Sequence, residues 1–163
     1  MATTTVGVDA AIRALQDRTE ITDVLYRYAS TIDRFDLDGL RSVLADDLWA
    51  QYGNADPVLG GDAVAAWIGE AIANVVWQHH LLSVYHVEID GDRAGALVYH
   101  TSHQVFEDDP ETAKLLVGRY DCELRREHDG WRISRLVLEI LWGEEKADAA
   151  GYLALIGGRG PQA

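Results

Sequence analysis

The sequence predicts an α+β domain in which N-terminal helices cover one face of a curved, mostly antiparallel sheet that encloses a pocket. Two observations lead to this class. From Asp9 to Asp33 apolar residues recur every three or four positions, as on a one-faced helix. Beyond Gln78 the period changes to two, as in a sheet. Helices followed by a run of strands are typical of α+β domains.

The individual elements follow from local patterns in the chain. After the first helix, a short helix is predicted over residues 36–45 and a strand over 48–52. The Gly60-Gly61 break precedes an Ala-rich third helix over 62–77. Four strands then form an antiparallel meander over residues 79–89, 93–106, 114–124 and 131–142, with turn signals at Asp90-Gly91 and Asp129-Gly130.

Length and charge limit the class of protein. The 163 residues fit one domain, with 1–8 and 157–163 expected as mobile tails. A net charge of -13 disfavours nucleic acid and anionic membranes as partners. No apolar run is long enough to cross a membrane, and the N-terminus does not resemble a signal peptide, so a cytoplasmic location is expected. Cys122, the single cysteine, is expected to be a small core residue.

A carboxylate and a histidine are the candidate catalytic pair. Asp33 ends the first helix in step with its apolar face, where a charge requires a partner. His79 shares its strand face with Val87 and Ile89, so it is expected to point inward and to contact Asp33. Such a pair is a general base. The alternative is that Asp33 merely ends the helix or caps residues 34–36.

The other histidines do not predict a metal site. His79 and His80, like His100 and His103, fall on opposite faces of their strands, whereas zinc requires three or four convergent ligands. The chain also lacks a Gly-rich phosphate loop and a nucleophile elbow. No metal or cofactor is therefore predicted.

At four places the residues resemble scytalone dehydratase and the SnoaL-like group of the NTF2-like superfamily. Residues 30–40 around Asp33 resemble the helix that carries the catalytic aspartate of that group. Tyr52 lies where scytalone dehydratase has a tyrosine that holds a water against the substrate carbonyl. His79, after Gln78, matches the catalytic histidine, and residues 131–144 end in the same Trp-Gly-Glu. Asp33 and His79 also match the related dehydrochlorinases of chlorinated cyclohexanes; with Tyr28, they match bile-acid 7α-dehydratases.

The resemblance implies a lyase that uses no cofactor. His79 would take a proton next to a carbonyl or leaving group, Asp33 would hold the imidazole, and a water held by tyrosine would polarise the substrate oxygen. Tyr28 and Tyr52 are the tyrosines expected to take part in catalysis. The substrate would be small, mostly apolar and cyclic, such as a polyketide, steroid or terpenoid intermediate. Side chains expected to contact it are His100, Ser102, Gln104, Tyr120, Leu138 and Trp142.

Two other functions stay open, and an oligomer is expected. An isomerase or cyclase of the SnoaL or ketosteroid-isomerase type would use the same pair to form and reprotonate an enolate. A non-catalytic binding or assembly module is the third possibility, because one fold hosts many functions. The resemblance implies a homo-oligomer, with a trimer favoured over a dimer. Its contact surface would be the outer sheet face, where Leu82, Val84, Leu97 and Tyr99 are expected.

Overall fold

The computed structural model describes residues 7–147, which form three helices and six strands. Apart from Gly7 and Val8, the two predicted tails lie outside these residues. The helices are α1 (Val8–Asp33), α2 (Leu37–Arg41) and α3 (Gly61–Ala71). The strands are β1 (Leu44–Tyr52), β2 (Val58–Leu59), β3 (Val75–Asp90), β4 (Arg93–Phe106), β5 (Asp109–Glu127) and β6 (Gly130–Ala147). No helix in this part of the chain is both long and apolar enough to cross a bilayer.

The strands make one sheet in the order β2-β1-β6-β5-β4-β3. β3 to β6 form the predicted antiparallel meander, and β1 joins it parallel to β6. The helices pack on the inner face of this sheet, and the core lies between the two layers. Side chains of α1 become buried only from Ile21 onward, so its first turns extend beyond the core. The predicted α+β class is confirmed.

Several element boundaries differ from the prediction, including those of α3, β3 and β5. The third helix ends at Ala71 rather than at residue 77, and β3 begins at Val75. Because β-branched residues fit a pleated strand better than a helix, Val75 and Val76 extend the sheet. β5 begins at Asp109 and includes Pro110, which the sequence had placed in a loop. The ladder with β4 is irregular there, and a proline is tolerated where regular pairing is interrupted.

A bulge in β3 changes which side chains face the core. Val84 and His86 pair with adjacent residues of β4, which leaves Tyr85 as the extra residue. Upstream of the bulge the even-numbered residues of β3 face the helices, and downstream the odd-numbered residues do. Leu82 and Val84 therefore pack against the core, and their predicted place on the outer face was wrong.

Candidate functional site

A carboxylate and an imidazole meet where the end of α1 lies against β3. Asp33 Oδ1 is 2.6 Å from His80 Nδ1, and Asp33 Oδ2 accepts a hydrogen bond from the backbone N–H of His80 at 3.0 Å. The two contacts fix the carboxylate relative to the ring. With Nδ1–H donated to the carboxylate, Nε2 presents its lone pair. The Asp33 side chain is 22% exposed and that of His80 is 10% exposed, so the pair is not sealed from solvent.

His79, predicted as the partner of Asp33, does not contact it. His79 is exposed on the outer face of β3, where its ring stacks on Trp77 and lies 6.4 Å from that of His103. The prediction placed every second residue of the strand, counted back from Ile89, on the core-facing side. The bulge at Tyr85 shifts this alternation by one residue, so that His80 and not His79 faces the helices. His79 is therefore the wrong histidine, and the imidazole beside Asp33 belongs to His80.

The position of β3 in the sheet explains why Asp33 can reach this strand. In the part of the chain that the structure describes, β3 is the last strand of the sheet, so half of its backbone groups have no strand partner there. The last turn of α1 covers this edge, and the Asp33 carboxylate accepts one of the free N–H groups, that of His80. A negative charge at a helix C-terminus is disfavoured by the helix dipole. The two contacts with His80 offset that cost.

Two tyrosine hydroxyls meet deeper in the core. Tyr28 of α1 and Tyr52 of β1 are joined by a hydrogen bond of 2.9 Å. The Tyr52 ring also stacks on Trp67 of α3 at 4.7 Å, which fixes its direction. Burial is the main cause that raises the pKa of both phenols above the ordinary value. Both hydroxyls therefore remain protonated in the neutral pH range.

His100 and Tyr120 connect the imidazole of His80 with these tyrosines. The rings of His80 and His100 stack at 5.9 Å with planes 18° apart, and Tyr120 lies 4.9 Å from His100 and edge-on to Tyr28. His100 is 3% exposed, and its Nδ1 has no hydrogen-bond partner among the described residues. Burial, and then the charge of nearby His80, lower the pKa of His100 to about 4. A neutral His100 adds no competing charge.

The remaining residues expected to contact a substrate divide into two groups. Ser102 and Leu138 are buried, and Gln104 lies on the same core-facing side of β4 as Ser102. Trp142 is 52% exposed and pairs in register with Val117 on the outer face. A bulge at Leu141 precedes it in β6. The predicted inward position of Trp142 was therefore wrong.

Sequence reasoning missed Gln78, which lies two residues before His80 on the same face. Its side-chain amide donates a hydrogen bond of 2.6 Å to the backbone carbonyl of Ile32, the residue before Asp33. Gln78 is 6% exposed. The only signal in the sequence was a glutamine next to the predicted catalytic histidine; its burial, which requires the amide to be hydrogen-bonded, is seen only in the structure.

The open grooves on the surface of the molecule lie apart from this group. An open groove of about 660 Å³ runs between α1 and the β5–β6 turn, where its lining includes Glu20, Arg27 and Arg132 but neither Asp33 nor His80. Within residues 7–147, no group of three His, Cys, Asp or Glu side chains is placed to hold a metal ion. The ionisable groups that meet at the site are an imidazole, a carboxylate and two phenols.

Comparisons with known proteins agree with this fold. Residues 13–137 match the SnoaL-like domain. An uncharacterized protein of Mycobacterium tuberculosis is 30% identical over 132 residues, which cover 78% of this chain and 87% of that protein. A candidate scytalone dehydratase from Novosphingobium aromaticivorans superposes with a TM-score of 0.75 at 14% identity, over 83% of this chain and 93% of that one. The hexachlorocyclohexane dehydrochlorinase LinA-type3 from Novosphingobium barchaimii superposes with a TM-score of 0.76 at 15% identity, over 84% and 94%. At these identities the two structures are similar in fold.

Proposed function

Since the chain belongs to the SnoaL-like domain family of the NTF2-like superfamily, we propose that it is a lyase that eliminates water from a small cyclic substrate without a cofactor. The contact between Asp33 and His80 is the observation that carries this proposal. It supplies an oriented imidazole beside a carboxylate, in a setting that solvent still reaches. Similar folds in a candidate dehydratase and in a dehydrochlorinase support the reaction class.

The proposed base is His80 Nε2. It removes a proton from the carbon next to the substrate carbonyl, and Asp33 stabilises the imidazolium that forms. The same nitrogen then returns its proton to the departing hydroxyl, so that one C–H and one C–O bond break, a C=C bond forms, and water leaves. General acid–base help of this kind contributes on the order of 10²–10⁴-fold to the rate.

The hydroxyl pair of Tyr28 and Tyr52 is the proposed partner of the substrate carbonyl oxygen. One tyrosine donates to the other, which leaves the second proton for the substrate. As the enolate develops, its oxygen gains negative charge. A hydroxyl donor that is already in place stabilises this charged oxygen more than it stabilises the neutral carbonyl of the bound substrate. Because the pKa values of both phenols are raised, mainly by burial, they are expected to donate throughout the neutral range.

The surroundings of the pair favour a mostly apolar substrate. On the core-facing side of the sheet, Leu82, Val84 and Leu138 lie among the few polar groups. Apolar walls with a few oriented polar groups are typical of sites for small hydrophobic ligands. A ring that carries one carbonyl and a hydroxyl two carbons away fits this description.

Two neighbouring histidines provide a matched test. A panel of cyclic β-hydroxy ketones is offered to the wild type, and enone formation is followed by its absorbance. His80→Ala should lower kcat by at least about 10²-fold, because it removes the base. His79→Ala, a change of the same chemistry on the outer face, should leave kcat within about twofold. Equal effects of the two changes, or proton exchange into the substrate without enone, would contradict the proposed lyase.

A further inference from the structure

A chain of hydrogen bonds joins the end of α1 to two strands of the sheet. Gln104 of β4 donates through Nε2 to Gln78 Oε1 at 3.2 Å, and Gln78 of β3 donates through Nε2 to the carbonyl of Ile32 at 2.6 Å. We call these three groups the glutamine clamp. Gln78 uses both ends of its amide within the protein, so its nitrogen and its oxygen each have a partner without a ligand.

The clamp holds α1 at the residue next to the proposed catalytic carboxylate. Ile32 directly precedes Asp33, and its carbonyl also accepts the N–H of Phe35 at 3.0 Å, while Thr31 O accepts that of Asp36 at 2.9 Å. These two bonds close the helix, with Phe35 in the left-handed conformation (φ 58°). An aromatic residue is disfavoured in that conformation, so the surrounding contacts must hold this turn in place.

The clamp also holds β3 close to the proposed base. Gln78 and His80 are on the same face of a short segment between two bulges, one after Val75 and one at Tyr85. Bulges interrupt the regular ladder, so the register of this segment is less rigidly defined by its neighbour alone. Asp33 is therefore one residue from Ile32, and His80 is two residues from Gln78, so both residues of the pair lie close to a group held by the clamp.

We infer that Gln78, oriented by Gln104, is a positioning residue that sets the distance and angle between Asp33 and His80. This inference rests on the proposed function for its kinetic consequence, but the geometry it describes exists without turnover. Displacement of a catalytic group by about 1 Å can lower a rate about 10²-fold. Loss of the clamp should therefore act on kcat rather than on substrate binding.

Gln78→Met tests the inference, because methionine has a similar length and no hydrogen-bonding amide. With a cyclic β-hydroxy ketone as substrate, we expect kcat to fall about 10- to 100-fold and KM to change less than about threefold. The control is Gln51→Met, which removes a comparable hydrogen bond from a side-chain amide to the carbonyl of Ala55 in the β1–β2 turn. That change should leave both constants within about twofold.

A second measurement needs no substrate. The proton between His80 Nδ1 and Asp33 should give a strongly deshielded imidazole N–H signal in the NMR spectrum, assigned by its loss in His80→Ala. We expect Gln78→Met to shift or broaden this signal and Gln51→Met to preserve it. If the signal is unchanged in a folded Gln78→Met, the inference is wrong. If it changes but no substrate reacts in the wild type, the inference stands and the proposed function fails.

Gln104→Met keeps the test decisive if Gln78→Met does not fold. This change leaves the bond from Gln78 to Ile32 in place and removes only the group that orients Gln78. The same NMR signal should broaden and kcat should fall about three- to tenfold, a smaller loss because one bond of the clamp remains. A wild-type signal together with wild-type kcat in Gln104→Met would contradict the role of the clamp.

Discussion

At the residue scale, the histidines of β3 and β4 differ by their surroundings and not by their chemistry. His80 has a carboxylate partner, whereas His100 is enclosed by rings and, among residues 7–147, has no partner at Nδ1. An imidazole in such a position is more costly to protonate than one in water. The same residue type is thus suited to exchange protons at one position and to stay neutral at the other.

His100 should make the folded state less stable in acid. Its pKa is about 4 in the folded protein, because of burial and then of His80, against an ordinary value of about 6.5 in an unfolded chain. The unfolded chain therefore binds a proton that the folded protein does not. The resulting loss in free energy of unfolding is absent above about pH 6.5. It grows by up to about 1.4 kcal/mol per pH unit as the pH falls, and it is complete near pH 4.

Denaturant unfolding at pH 7.0, 5.5 and 4.5 measures this effect. His100→Phe keeps a ring at the position but cannot bind the proton. Its free energy of unfolding should therefore decline less between pH 7.0 and 4.5 than that of the wild type, whatever its value at pH 7.0. Parallel declines in the two proteins would show that His100 does not carry the acid sensitivity.

At the scale of elements, Gly118 of β5 lies close to atoms of both β4 and β6. A Cβ at this position would lie 2.8 Å from Glu139 O, 3.0 Å from His100 Nδ1 and 3.0 Å from Leu138 Cδ1. Such distances require the neighbours to move. Glycine in this strand is therefore what admits the His100 ring beside the sheet backbone.

Gly118→Ala should destabilise the protein by about 1–3 kcal/mol, as overpacked core positions do. The matched control is Gly95→Ala in the adjacent strand β4, where an added Cβ would meet no atom of the described residues within 4 Å. Since glycine weakens a strand interior, the control should be neutral or stabilise by up to about 1 kcal/mol. Thermal unfolding of the two variants checks the prediction. A Gly118→Ala protein as stable as Gly95→Ala would mean that this contact is not tight.

Regular elements could be predicted from the sequence, and their irregularities could not. The apolar period located α1 to within one residue, and β4 was predicted at its observed bounds. The bulge at Tyr85 in β3 cannot be recognised from the alternation of apolar and polar side chains, because the odd-numbered and the even-numbered residues of that strand both include apolar side chains. The prediction therefore chose His79 instead of His80, although it chose Asp33 correctly as the residue that an imidazole contacts.

Hydrogen bonds between elements that are distant in the chain could not be predicted from the sequence either. The bond from Gln78 to Ile32 spans 46 residues and depends on how the end of α1 lies across the edge of the sheet. A pattern of hydrophobicity specifies which face of each element is buried, but not which carbonyl a buried amide will meet. Gln78 was therefore passed over, and Gln104, which orients it, was assigned only to substrate contact.

At the scale of the whole molecule, the outer face of the sheet exposes large apolar side chains. Leu81 is 62% exposed, Tyr85 70% and Trp142 52%. The net charge of -13 makes copies of the chain repel one another, which disfavours association through the charged parts of the surface. Exposed apolar area of this kind is typical of protein contact surfaces. We therefore still expect a homo-oligomer, with a trimer favoured over a dimer, formed through this face rather than through the predicted Leu82 and Val84.

Leu81→Glu tests this expectation, with Leu15→Glu as its control. The two leucines have similar exposure, 62% and 66%, but Leu15 lies on the part of α1 that extends beyond the core. A carboxylate introduced at an apolar contact must lose its water or break the contact, so Leu81→Glu should shift the wild-type assembly toward single chains. Leu15→Glu should not. Sedimentation equilibrium gives the masses. A wild type with the mass of one chain would refute the oligomer, and an unchanged assembly in Leu81→Glu would place its contact on another surface.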